Sequence, residues 1–213
     1  ECNFTDYTNS AVREWWAGLF KELISEIGVK GVWNDMNEPA VMEVPGKTFP
    51  PDVRHDYDGN PCSHRKAHNI YGTQMARATY EGVKRFAYPK RPFIITRSAY
   101  SGAQRYTSSW TGDNVASWEH LWVANIQMQR MSMSGMGFTG SDIGGFAEQP
   151  SGELYARWIQ LGVFHPFCRT HSSGDHGEQE PWSFGTEVID ITRKFVELRY
   201  QLLPYLYTMF WNY

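Results

Sequence analysis

The chain is 213 residues long, with 41% hydrophobic and 20% charged residues and a formal net charge of −3. That is an ordinary globular mix for about one domain, which excludes a disordered, fibrous or repeat protein. No Lys/Arg-rich run marks a nucleic-acid footprint, and no apolar stretch reaches the ~18 residues of a membrane-spanning helix. The aromatic share is 15%, which suits a sugar or other ring-shaped ligand and equally a dense core. Cys2, Cys62 and Cys168 are too few, and odd in number, for a disulfide framework, and no CxxC pair points to zinc or redox chemistry. The chain opens on neither Met nor a signal peptide. Asn3-Phe4-Thr5 fits a glycosylation sequon, a pattern that often arises by chance.

Ser10 to Ile27 has a helical apolar period (Val12, Trp15, Trp16, Leu19, Phe20, Leu23, Ile24, Ile27), with Asn9 or Ser10 as cap and Gly28 as stop. Val29 to Asn34 reads as a short strand, broken by Pro39. Ala40 to about Asn69 is rich in Pro, Gly, Asp and His and reads as a long loop, a feature that in compact domains is usually functional or disordered. Ile70 to Phe86 is the next helix and Phe93 to Thr96 the next strand. Ala99 to Asn114 is a polar loop, with a short strand expected near Ser108–Gly112. Trp118 to Met133 is a helix, Gly137 to Thr139 a strand, Leu154 to Val163 a helix and Phe164 to Cys168 a strand. Ser172 to Gly185 is a loop. Thr186 to Tyr207 is a final helix, kinked or restarted at Pro204.

Strands alternate with helices throughout, which predicts an α/β fold with a parallel sheet. Four or five strands fall short of a closed (β/α)8 TIM-type barrel, which takes about 250 residues. The chain therefore reads as part of a barrel. In such barrels the loops at the C-terminal strand ends carry the active site. Asp35, Arg97, Asp113, Asp142 and His171 all sit at that end of successive strands. Each Asp alone would be read as a turn or helix cap; the set together reads as a site. Two carboxylates facing one cavity split roles by environment, one ionised as nucleophile and one protonated as acid, as glycoside cleavage requires.

Four segments carry a resemblance. Gly31-Val32-Trp33-Asn34-Asp35-Met36-Asn37-Glu38-Pro39 resembles the nucleophile segment of glycoside hydrolase family 31, the α-glucosidase family. Arg97-Ser98 with Gly102-Ala103-Gln104-Arg105-Tyr106, followed by Trp110-Thr111-Gly112-Asp113-Asn114, resembles its acid/base segment. Gly140-Ser141-Asp142-Ile143-Gly144-Gly145-Phe146 and Arg169-Thr170-His171-Ser172 are similar to two further sugar-contacting segments. The resemblance spans nearly the whole chain. It implies that Asp35 is the nucleophile and Asp113 the general acid/base. It also implies that Arg97, Asp142 and His171 hold sugar hydroxyls, and that Trp33, Met36, Trp110 and Phe146 wall the subsite. For Trp33, barrel packing is as good a reading. The implied activity is retaining hydrolysis of α-linked glucose from non-reducing ends, with no cofactor and no metal. The pair of carboxyls would lie about 5–5.5 Å apart, or somewhat over 6 Å. An α-xylosidase, an α-glucan lyase and a non-catalytic carbohydrate-binding protein are the alternatives. Family members carry earlier barrel strands and β domains that are missing here, so the chain would cover roughly strands four to eight, and alone would be insoluble or inactive.

Weaker features remain. His55, Asp56, Asp58, His64 and His68 crowd one loop; a metal site is conceivable from the spacing of His64 and His68, but a solvated rim loop is preferred. His165 and His176 read as core or loop residues. Glu38 reads as a partner of Arg97. Gly144-Gly145 lacks the Lys-Ser/Thr of a phosphate loop.

Overall fold

A computed structural model describes residues 3–213, and Cys2 lies outside the described residues. The chain falls into two compact units, 1–109 and 110–213. Among the described residues no helix is long and apolar enough to cross a membrane.

In the first unit, α1 (Ser10–Gly18) is capped by Asn9, whose Oδ1 accepts from the Ala11 and Val12 amides at 2.8 and 3.3 Å. The expected single helix to Ile27 instead passes into a π-helical turn, Glu22–Glu26. The wider turn separates two apolar stripes: Ala17, Phe20 and Ile24 are buried, whereas Trp15, Leu19, Leu23 and Ile27 are exposed. Arg13, polar in sequence, is buried because it donates to the Tyr7 carbonyl and pairs with Asp58. Three strands follow in parallel register: β1 (Val32–Asn34) pairs with β4 (Ile94–Thr96), and β4 with β5 (Ser108–Trp110) through Ile95↔Ser108 and Thr96↔Ser109. Phe20, Ile24, Val83 and Ile94 form the core between helices and sheet.

The stretch read as a long loop contains an antiparallel hairpin, β2 (Arg54–His55) with β3 (Cys62–Ser63). Helix α2 runs His64–Ala87, starting six residues before the predicted Ile70. Histidines obscured this start. His64 and His55 are 2% and 3% exposed, not solvated. They form a chain of hydrogen bonds: Asp6 Oδ1 to His55 Nδ1 at 3.0 Å, His55 Nε2 to His64 Nδ1 at 2.9 Å, and His64 Nε2 to His68 Nδ1 at 2.8 Å. An ionised carboxylate only accepts. With all three rings neutral, protons then point one way, from His68 towards Asp6. The facing ring nitrogens are spent on each other, and no His/Cys/Asp/Glu group that could hold a metal is found among the described residues. Burial, then the neighbouring His68 and His55, pushes His64 down to about 4.

In the second unit, helix α3 spans Trp118–Met133, with Ser117 Oγ accepting from the His120 amide. Strand β6 is Thr139–Gly140, and β7 (Asp142–Ile143) pairs in parallel with β8 (Arg169–Thr170). Helix α4 (Gly152–Gly162) and helix α5 (Thr186–Asn212) enclose a core of Ile143, Tyr155, Trp158, Ile159, Val163 and Val188. The strand predicted at Phe164–Cys168 is instead β8. Two carbonyls of the displaced segment are satisfied elsewhere: Arg199 donates to those of His165 and Pro166, and also to that of Val163 just before it. Helix α5 continues through Pro204 as one element.

Candidate active site

Asp35 follows β1, and its neighbours fold back onto the end of β4. Arg97, the residue after β4, brings its Nε to 3.2 Å from Asp35 Oδ1. The same guanidinium makes a two-point contact with Glu38, Nε to Oε1 at 2.9 Å and Nη2 to Oε2 at 3.2 Å. Nη2 also lies 2.8 Å from the Met36 sulfur. Two-point Arg–carboxylate pairs fix direction as well as distance. Glu38 therefore holds Arg97 against the Asp35 carboxylate, as the sequence suggested. Met36 takes up a positive φ of 57°. Trp33 and Met36 remain 43% and 41% exposed.

Asn37 is buried between these charged residues. Its Nδ2 donates to Thr96 Oγ1 at 2.8 Å, the Thr96 hydroxyl donates to the Ser98 carbonyl at 3.1 Å, and the Ser98 amide donates to Asn37 Oδ1 at 3.1 Å. Helix α2 closes on this knot at Gly72. A Cβ there would lie 2.7 Å from the Ser98 carbonyl oxygen and 2.9 Å from that of Asn37. Only glycine lets the helix approach so closely.

The second unit holds the other sequence-predicted residues. Asp113 is exposed, in a turn set by Gly112 at φ 79°. Asn114 ties that turn to the end of β7: its Nδ2 donates to the Asp142 carbonyl at 3.2 Å, and its Oδ1 accepts from the Phe146 amide at 3.0 Å. Gly145, at φ 92°, lies so close to Ala116 that a Cβ would sit 2.5 Å from its backbone. Phe146 and His171 face each other with ring centroids 5.2 Å apart. The Ser173 amide donates to the Phe146 carbonyl, joining the turns after β7 and β8.

Asp142 and Trp110 are both buried. The Asp142 side chain has no exposed surface, and its Oδ1 accepts from Arg169 Nη2 at 2.7 Å. One oxygen of this buried carboxylate is thus paired with Arg169. Trp110 is 2% exposed, with the Arg169 guanidinium 5.8 Å over its ring. Arg169, Asn37 and Asn114 were not singled out from sequence. Arg169 lies two residues before His171 at a strand end, which was the available signal.

The chain from residue 1 to 209 matches the glycosyl hydrolases family 31 TIM-barrel domain. The chain belongs to glycoside hydrolase family 31. Its parallel strands and their covering helices are a fragment of the family 31 barrel. It is 47% identical over 207 residues to alpha-glucosidase 2 of Bacillus thermoamyloliquefaciens, covering 97% of this chain and 26% of that protein. It superposes on the crystal structure of a Glc1Man2-bound glucosidase II alpha subunit with TM-score 0.90 and 39% identity, covering 97% of this chain and 22% of that one. It matches the family 31 alpha-glucosidase of Bacteroides thetaiotaomicron with TM-score 0.83 and 42% identity, covering 95% and 32%. The chain thus spans about a quarter of its family 31 relative from Bacillus.

Proposed function

We propose that this chain supplies the catalytic carboxylates of a retaining α-glucosidase, as roughly strands four to eight of the barrel. The observation that carries the reading is the Arg97 guanidinium 3.2 Å from Asp35 at the ends of adjacent parallel strands. A cation held there by Glu38 keeps a carboxylate aimed and ready for the developing positive charge of a glycosyl centre.

The reaction runs in two displacements. Asp35 Oδ attacks the anomeric carbon as the glycosidic C–O bond breaks, and Asp113 gives its proton to the departing oxygen. Asp113, now ionised, takes a proton from water as that water attacks the same carbon and the bond to Asp35 breaks. Two inversions return the α configuration. Arg97 and His171 hold hydroxyls of the bound glucose. Trp33, Met36, Trp110 and Phe146 wall the subsite that receives its C–H faces. Asp142 acts through Arg169. The alpha3-Glc2-bound and Glc1Man2-bound structures of the glucosidase II alpha subunit support an α-linked glucose as the group cleaved.

A panel of aryl α-glycosides, with products followed by NMR, tests the reading in the active enzyme. α-Glucose should form first from an aryl α-glucoside. β-Glucose as the first product, or preference for the α-xyloside, overturns it.

A further inference from the structure

We infer that Asn37 is a positioning residue that fixes Arg97 against Asp35 through a closed ring of three hydrogen bonds; the inference rests on the α-glucosidase reading of that site. The ring runs from the Asn37 amide to the Thr96 hydroxyl, from that hydroxyl to the Ser98 carbonyl, and from the Ser98 amide back to Asn37. Every donor has one acceptor, and the direction of donation is the same all the way round. Thr96 and Ser98 are the two neighbours of Arg97, so the ring clasps the backbone on both sides of the residue whose guanidinium meets Asp35 and Glu38.

Several observations make this a positioning device and not general packing. Asn37 and Thr96 are 2% and 0% exposed, so the ring operates away from water, where each bond is costly to leave unmade. Asn37 is two residues from Asp35 and one from Glu38. One short segment therefore carries the nucleophile, the residue gripping the Arg97 backbone and the residue gripping its guanidinium. The Arg97 amide also donates to the Asn34 carbonyl at 3.1 Å, which continues the β1–β4 register up to the site. Helix α2 approaches the ring closely at Gly72. With backbone and guanidinium both held, Arg97 has one place to be relative to Asp35. Misplacement of such a group by about 1 Å costs on the order of 100-fold in rate.

The test uses Asn37→Ala, Thr96→Val and Thr96→Ser in the active enzyme, with kcat/KM measured on an aryl α-glucoside and its monodeoxy analogues. Thr96→Val removes two of the three bonds at nearly constant shape; Thr96→Ser keeps all three. Asn37→Ala and Thr96→Val should lower kcat/KM on the parent glucoside by about 10- to 100-fold. They should also shrink, by about tenfold, the preference for the parent over the analogue lacking the hydroxyl that Arg97 holds. That preference is a ratio and does not depend on how much of the preparation is folded. Thr96→Ser should keep both quantities within about threefold of wild type, and the Thr96 pair decides the matter if Asn37→Ala does not fold. A lowered kcat/KM with an unchanged preference overturns the inference. So does equal damage from Thr96→Ser and Thr96→Val. Turnover of the glucoside by Asp35→Ala overturns the reading of the site on which this inference rests; a wild type that turns over the glucoside but is indifferent to every deoxy analogue overturns the inference alone.

Discussion

Acid should destabilise this protein through His165, and a variant lacking only this imidazole separates the effect from the other titrations. His165 is 4% exposed, and among the described residues neither of its ring nitrogens has a hydrogen-bond partner. Burial, then the nearby Arg199 charge, pushes it from 6.5 down to about 4. The unfolded chain therefore binds a proton that the folded chain refuses between about pH 6.5 and pH 4. Stability is fully present above the ordinary histidine pKa and is lost as pH falls towards 4. At ~1.4 kcal/mol per pKa unit the whole loss is ~3 kcal/mol, and about 2 kcal/mol of it has appeared by pH 5. His165→Leu removes this proton while filling similar space. Urea unfolding of wild type and variant, followed by circular dichroism at pH 7.5, 6.5 and 5, should show the variant gaining about 2 kcal/mol on wild type over that range. His64, also pushed down to about 4, destabilises both proteins in acid and cancels from the difference. A gap that stays constant with pH, or one that moves towards wild type, refutes the argument.

Other outcomes follow from the site. Asp35→Ala should abolish hydrolysis with the fold intact, and azide with an aryl α-glucoside should then give the β-glycosyl azide by one inversion; the α azide would contradict the assignment. Asp113→Ala should keep turnover of substrates with good leaving groups when azide is present and yield the α-glycosyl azide, because azide attacks the glycosyl ester on Asp35. Gly72→Ala should lower kcat/KM by at least tenfold, since its Cβ would meet two backbone carbonyls of the Asn37–Ser98 knot at under 3 Å; unchanged kinetics would show that helix α2 bears no strain there. Asp142→Asn should destabilise the fold by about 3 kcal/mol in urea unfolding, because it leaves the Arg169 charge without its buried partner.

Local signals in the chain were enough for much of the architecture. Helix α3 is bounded at Trp118–Met133 as its periodicity predicts, and its cap, Ser117, is adjacent in sequence. Strand ends near Asp35 and Arg97 were legible because short apolar runs give way there to polar loop residues, whereas Asp142, expected just after a strand, opens the strand β7. The family 31 segments were legible for the same reason: each is a contiguous stretch whose residue types and order are visible without any coordinates.

What the tertiary structure alone decided depends on partners far apart along the chain. Glu38 meets Arg97 across 59 residues, and Asp142 meets Arg169 across 27. The sequence could suggest the first pair but not its two-point geometry, and it did not foresee that Arg169 would occupy the Asp142 carboxylate. The histidines near residue 60 looked solvated because three imidazoles and a carboxylate are polar. Folding buries two of them by letting each ring satisfy the next, with Asp6 at the end of the line. Strand β8 lies beyond the apolar run because Arg199, 30 residues later than Arg169 in the numbering, takes two carbonyls of that run from α5. Propensity and period act over a few residues. Whether a charge or a buried polar group is affordable depends on the partner that folding brings to it, and that partner has no fixed spacing in the sequence.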